Sequence, residues 1–348
     1  MKADFWIGQG LGFVLGILAT WLASSIARSY RRVRNRVPER HPKNGPLNFD
    51  PRAIEFFMLN SWSPARQLKP ENLQTEYVTE RLCAQTWCDP QELGKIRSEI
   101  PDPGGPAASL VDYEIDHREN ERGNTFRMYL MRSDYADLLS VSEYFRREPE
   151  AVKVVLNRLA DESTRSVARE APTSVIAVNV VLLSADQKLL AIERSGAVST
   201  SQNLWTLGPN ETMNWLEELH PGQKKEDLFV LVERCLNEEV ALESADYGRV
   251  YVSWIGYNVP GALVHVVALI TAKLTSSEIS ERINQSHSVF EVQRHAWIRP
   301  DAKTLTAIAT DQRTDGRKWI VSARLAAQEY WRFKALLLRD AGEPSGDF

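Results

Sequence analysis

The sequence predicts an α+β protein: one membrane-spanning helix, a smaller α+β region, and a larger α+β domain in the second half of the chain. Three observations carry that prediction. An uncharged run of 23 residues, 5–27, opens the chain. β-Branched runs bounded by turn residues begin at Ser174 and resume after Arg249. Between them, residues 226–242 repeat apolar side chains (Leu228, Leu231, Val232, Cys235, Leu236, Leu242) at steps of three and four, the period of a helix with one buried face.

The first element is the apolar run. Its length crosses a bilayer as a helix, and Gln9 is its only strongly polar side chain. Only Lys2 and Asp4 carry charge before it, whereas Arg28, Arg31, Arg32, Arg34, Arg36, Arg40 and Lys43 follow it. That asymmetry predicts residues 1–4 outside the cell (inner) membrane and everything beyond the basic stalk, 28–50, in the cytoplasm. A cleaved signal peptide is the rival reading, but a basic block directly behind the apolar run resists export. Gly8, Gly12 and Gly16 fall four apart, and Thr20 and Ser24 continue the line. Small residues on one face let two such helices approach closely, which predicts a homo-oligomer as well as a lipid bilayer for a partner. The stalk arginines also attract anionic headgroups.

The region 51–171 reads as α+β. Residues 71–88 and 90–100 have helical patterns, and 100–106 is a proline- and glycine-rich break. Strands follow at 111–118 and 125–131, joined through Glu121, Arg122, Gly123 and Asn124. A helix starts at 133–137 and runs toward Tyr144, and another spans 149–169.

The larger domain, 172–340, begins with a strand at 174–183, a turn at 184–187 and a returning strand at 188–194. The segment 205–211 leads toward the helix at 226–242. Strands follow at 249–254 and 262–274, then a short helix at 277–284, a last strand at 289–298 and a long helix at 318–339. Residues 341–348 form a tail.

Composition narrows the function. The formal net charge of −4 includes the basic stalk, so the remainder is more acidic still and offers no general nucleic-acid-binding surface. Three cysteines, Cys83, Cys88 and Cys235, fit a reducing compartment and make no disulfide framework. Cys83 and Cys88 have no second Cys or His pair nearby to complete a zinc site. His265 lies in an apolar strand and reads as a core residue.

On the predicted helix, Arg234 and Glu238 are four apart and able to pair, with Glu239 beside them. Adjacent carboxylates on one helix call for a positive partner, and a hard divalent cation with oxygen ligands is the usual one. The spacing of Glu226, Arg234, Leu236, Glu238, Glu239 and Leu242 resembles the Nudix box, Gly-x5-Glu-x7-Arg-Glu-U-x-Glu-Glu-x-Gly-U, where U is a bulky aliphatic residue. His220, Cys235 and Ala241 depart from it, standing where the family has Gly, Glu and Gly. Gly222 lies near the first of these positions, and Gly208 marks the strand-to-loop entry before the box.

The resemblance implies an α/β/α sandwich over about residues 172–340. It implies hydrolysis of a nucleoside diphosphate linked to another moiety, with Mg2+ or Mn2+ as cofactor. Glu238 and Glu239 would be metal ligands, Glu226 would support them or bind a second ion, and Arg234 would orient the carboxylates. Glu211, before the box, and Glu291, in the late strand, are candidates on the substrate side for a distal ligand or base. Cys235 replaces a carboxylate of the metal and base cluster, which opens the alternative of a nucleotide sensor or effector acting through its membrane anchor. The combination of one transmembrane helix with this domain also resembles membrane-tethered members of bacterial anti-phage nucleotide-signalling operons.

Overall fold

The computed structural model describes residues 56–79, 87–100, 105–116, 125–161, 169, 171–195, 203–215, 226–285, 292–310 and 316–342. The expected membrane helix with Gly8, Gly12 and Gly16, the basic stalk, Cys83, the 121–124 connection, His220, Gly222 and Glu291 lie outside the described residues. Among the described residues no helix is long and apolar enough to cross a membrane.

Residues 47–348 make one compact unit. Its strands are β1 (Phe56–Ser61), β2 (Leu73–Tyr77), β3 (Pro106–Asp116), β4 (Thr125–Asp134), β5 (Val175–Leu183), β6 (Leu189–Arg194), β7 (Trp205–Thr206), β8 (Asn210–Thr212), β9 (Tyr251–Asn258), β10 (Leu263–Thr271) and β11 (Val292–Ile298). Its helices are α1 (Pro90–Glu99), α2 (Tyr135–Arg147), α3 (Pro149–Asp161), α4 (Leu228–Val240), α5 (Ser276–Gln285), α6 (Ala302–Ala309) and α7 (Val321–Asp340). The strands form one mixed sheet ordered β1-β9-β10-β5-β3-β4-β2, with β6, β7, β8 and β11 branching from β5 and β6. β10 runs parallel to β5, and β2 parallel to β4.

β5 is central because both its faces are covered, and all nine of its residues are buried. Ile176, Val178, Val180 and Leu182 face a core that includes Leu228, Leu231, Val232, Cys235 and Leu236 of α4. Val181 and Leu183 face a second core with Leu325, Tyr330, Phe333 and Leu337 of α7. Strand alternation thus sorts one apolar run between two helical layers.

The expected boundary near residue 171 runs inside this sheet. Ser109 of β3 pairs with Val175 of β5, and the Leu110 and Ala108 amides donate to Ser174 O at 2.9 Å and Met213 O at 3.0 Å. Phe126, Leu130 and Val141 share the α4-side core, so the earlier region widens the same sheet.

Two local expectations need correction, and two elements have no counterpart among the expectations. Residues 71–88 are not a continuous helix: Leu73, Thr75 and Tyr77 alternate with exposed Gln74 and Glu76 in β2, and pairing beside β4 decides the matter. β1 was not anticipated, since its pairing with β9 is contributed from about 200 residues away. The short α6, capped by Asp301 Oδ1 accepting from Thr304 N at 2.8 Å, was also unexpected. The last helix begins at Val321 rather than Lys318 because the Trp205 and Ile320 amides bond Lys318 O and Trp205 O in extended pairing with β7.

Candidate active site

α4 is fixed at both ends. Asp227 caps its start, its Oδ1 accepting from the Phe229 and Val230 amides at 2.8 and 2.9 Å. At its end Ala241 adopts the left-handed region with φ 52°, and its amide reaches Asn237 O at 3.1 Å. This is one of the positions where the box pattern has glycine. The methyl group there costs about 1 kcal/mol relative to glycine.

Arg234 is the hub of the site. Its Nε donates to Glu226 Oε1 at 2.7 Å, and its Nη2 donates to Thr212 O at 2.6 Å. Its Nη1 donates to Glu238 Oε2 at 3.2 Å and stands 3.5 Å from Glu211 Oε1. Three sequence-separated acids therefore meet around one guanidinium. The second Glu226 oxygen accepts from the Asn214 amide at 2.6 Å, so both its oxygens are held by protein donors. Burial pushes the Glu226 carboxyl above its ordinary range, and the Arg234 and Asn214 bonds oppose that. Burial pulls the Arg234 guanidinium down, but the Glu226 bond and the Glu226, Glu211 and Glu238 charges together outweigh it and hold Arg234 above its usual value.

Glu239 is 7% exposed, and its carboxylate accepts from the Asn210 amide at 3.2 Å. The Glu238 side chain is about half exposed. Cys235 is fully buried on the apolar face, and burial, followed by the Glu239 and Glu211 charges, pushes its thiol well above the ordinary value. It is therefore neither a nucleophile nor a ligand in this position. Among the described residues no three His, Cys, Asp or Glu side chains converge to hold a metal ion, and the Arg234 guanidinium stands among the carboxylates. The oxygen donors suit a hard divalent cation, whereas the buried thiol does not.

The structure thus brings Glu211, Glu226, Arg234 and Glu238 together and sets Glu239 beside them; Glu291 lies outside the described residues. Sequence reasoning missed Tyr77 and the backbone partners at Asn210, Thr212 and Asn214. Tyr77, on β2, donates its hydroxyl to Glu226 O at 2.9 Å, 149 residues away, and no local pattern announces that contact. Burial, then the Glu226 and Asp227 charges, push the Tyr77 hydroxyl up to about 12, so it stays a donor at neutral pH.

His265 supplies a pH-sensitive group nearby on β10. Burial pushes its imidazole from 6.5 down to about 4. The folded protein therefore holds it neutral while the unfolded chain takes up a proton near 6.5. Its contribution is complete above that value and is lost as the pH falls toward 4, by at most about 3 kcal/mol. A pH series of urea midpoints should show this acid-side loss, and His265→Leu should flatten it. An unchanged slope would remove His265 as the source.

No family model matches the sequence, and no curated protein matches it. Among solved structures, the chain is similar to DR0079 from Deinococcus radiodurans at 16% identity, covering 45% of this chain and 83% of that one, with a TM-score of 0.32. It is similar to a MutT protein from Methanosarcina mazei Go1 at 13% identity, over 46% and 95% of the two chains, with a TM-score of 0.30. A C. elegans Ap4A hydrolase is 16% identical over 47% of this chain and 98% of its own, with a TM-score of 0.26. In each case the similarity spans about half of the present chain.

Proposed function

We propose that this protein binds a nucleotide of the nucleoside-diphosphate type with a divalent cation at α4 and hydrolyses its diphosphate linkage. The observation that supports it best is the meeting of Glu211 and Glu238 on one Arg234 nitrogen, with Glu239 held by the Asn210 amide beside them. A solvated acidic helix has no need to recruit a further carboxylate from a preceding strand. Glu238 and Glu239 would hold the cation, and Glu211 would supply the carboxylate that position 235 lacks. Glu226 and Arg234 lock the loop before α4 against the helix and so position those acids. A bound Mg2+ or Mn2+ would neutralise diphosphate oxygens and acidify a water molecule.

Full-length protein incubated with nucleotide sugars, dinucleotide polyphosphates and NAD-type compounds, with Mg2+ or Mn2+, should release product. Glu239→Gln should lower that rate at least about 100-fold, a typical loss for removal of a principal charge-stabilising group. Equal rates in the two proteins would refute the assignment. A second reading, a nucleotide sensor without turnover, is favoured by the burial of Cys235 in the apolar core. Metal-dependent thermal stabilisation by one compound without product release would select it.

Residues 5–27 are proposed to anchor the protein in the membrane with the α+β unit on the cytoplasmic side. The chain should then stay with membranes after alkaline carbonate washing, while a variant lacking residues 2–46 should be released. Extraction of the full-length chain would refute the anchor.

A further inference from the structure

The helix that bears the acids starts just after Glu226. Its N-cap is Asp227, and its first backbone bond runs from the Leu231 amide to Asp227 O at 2.9 Å. Glu226 O therefore lies outside the helical ladder, in a residue only 2% exposed, and must find a donor elsewhere. The Tyr77 hydroxyl is that donor, at 2.9 Å. The Glu226 carboxylate is committed to Arg234 Nε and the Asn214 amide. Tyr77 thus holds the peptide from which that carboxylate projects.

β2 gives Tyr77 a fixed base. Tyr77 pairs with Leu130, a fully buried residue of β4, and the Val78 amide donates to Leu130 O at 2.8 Å. Alternation turns Leu73 and Tyr77 onto the α4-side core and Gln74 and Glu76 outward, where both meet Arg127.

The opposite flank of the junction is held from the same half of the chain. Ala107 of β3 bridges Asn214, and the Trp215 amide donates to Pro106 O at 3.1 Å. The two flanks touch where the Tyr77 and Trp215 rings meet edge-on, their centroids 4.8 Å apart. β2 and β3 therefore clamp both partners of the bond between the Asn214 amide and Glu226. From Glu226 the contacts run through Arg234 to Glu211 and Glu238.

We infer that Tyr77 is a positioning residue for the cation-binding acids, acting through Glu226, and that the first half of the chain thereby sets the cation affinity of the site. The inference rests on the cation reading of the acid cluster, and two measurements on the full-length protein separate the two. In the metal-free protein, amide exchange across Asn214 should speed up about threefold or more in Tyr77→Phe, because the Glu226 oxygen that protects this amide loses its anchor. Mn2+ affinity should weaken about two- to fivefold in the same variant. It is read from the free-ion electron paramagnetic resonance signal and counted only for the ion that Glu239→Gln fails to bind. Leu73→Ala, four residues earlier on β2, strips packing from the same strand. It should lower the urea midpoint and leave both readouts at their wild-type values, whereas a merely structural role for Tyr77 would make the two variants alike. Trp215→Leu removes the ring contact from the opposite flank and should move both readouts in the direction of Tyr77→Phe, whether or not that variant folds well. Readouts unchanged in Tyr77→Phe or in Trp215→Leu, or changed as much by Leu73→Ala, would overturn the inference and leave the cation site standing. Faster exchange at Asn214 with no Mn2+ lost in Glu239→Gln would overturn the cation reading, and the inference with it.

Discussion

Arg234→Ala should lower stability by about 3–5 kcal/mol, the cost of leaving a buried charge without its partner. Glu226 is 2% exposed and would lose its 2.7 Å bond to Arg234 Nε. The Thr212 carbonyl would lose its 2.6 Å donor in the same step. Glu211 and Glu238 would also lose the charge that lets them approach each other. Because domains of this size have total stabilities of only about 5–15 kcal/mol, the variant should unfold at a much lower urea concentration. Arg234→Met combined with Glu226→Gln should recover most of the loss: the glutamine keeps an acceptor for the Asn214 amide and removes the orphaned charge. A double variant no more stable than Arg234→Ala would show that the charge pair is not what holds the loop to α4.

Gly208→Ala should cost about 4 kcal/mol or more. Gly208 has φ 93°, and a Cβ built there would lie 1.9 Å from Val180 O. Neither strand can retreat easily. Val180 N donates to Pro209 O at 2.9 Å, and Asn179 Nδ2 donates to Leu207 O at 2.8 Å, so the segment is stitched to β5 on either side of the glycine. Displacing it would also carry Asn210 and Glu211 away from Glu239 and Arg234. Folded yield and the chemical denaturation midpoint would therefore fall together with any metal-dependent ligand binding. A variant of ordinary stability would mean that β5 and the 205–212 segment tolerate a shift that their hydrogen bonds argue against.

What was legible in the sequence follows from local pattern. The helical period of residues 226–242 became α4 at Leu228–Val240, with its apolar face buried as expected. The β-branched run became β5 at Val175–Leu183, and the later runs became β9, β10 and β11. The acids were found for the same reason: Arg234, Glu238 and Glu239 sit within two turns of one helix, where spacing alone sets their neighbourhood.

The remainder depended on contacts between distant residues. β1 and β2 are short edge elements whose state is decided by the strands beside them, β9 and β4. Glu211 was a candidate by type, but only the pairing of β8 with β5 turns it toward Arg234, 23 residues away. The Tyr77 hydroxyl reaches Glu226 O only because β2 joins the same sheet. His265 reads as a core residue by its apolar flanks, and only the packing of α7 and β6 places it beside Arg194 and Ser322 in the lining of one cavity. Which core segments are helix or strand, and which helix bears the acids, was readable from local pattern, because periodicity and side-chain type are local properties. Which acids meet around Arg234 was decided only by strand register and helix packing, which bring together residues that no local spacing relates.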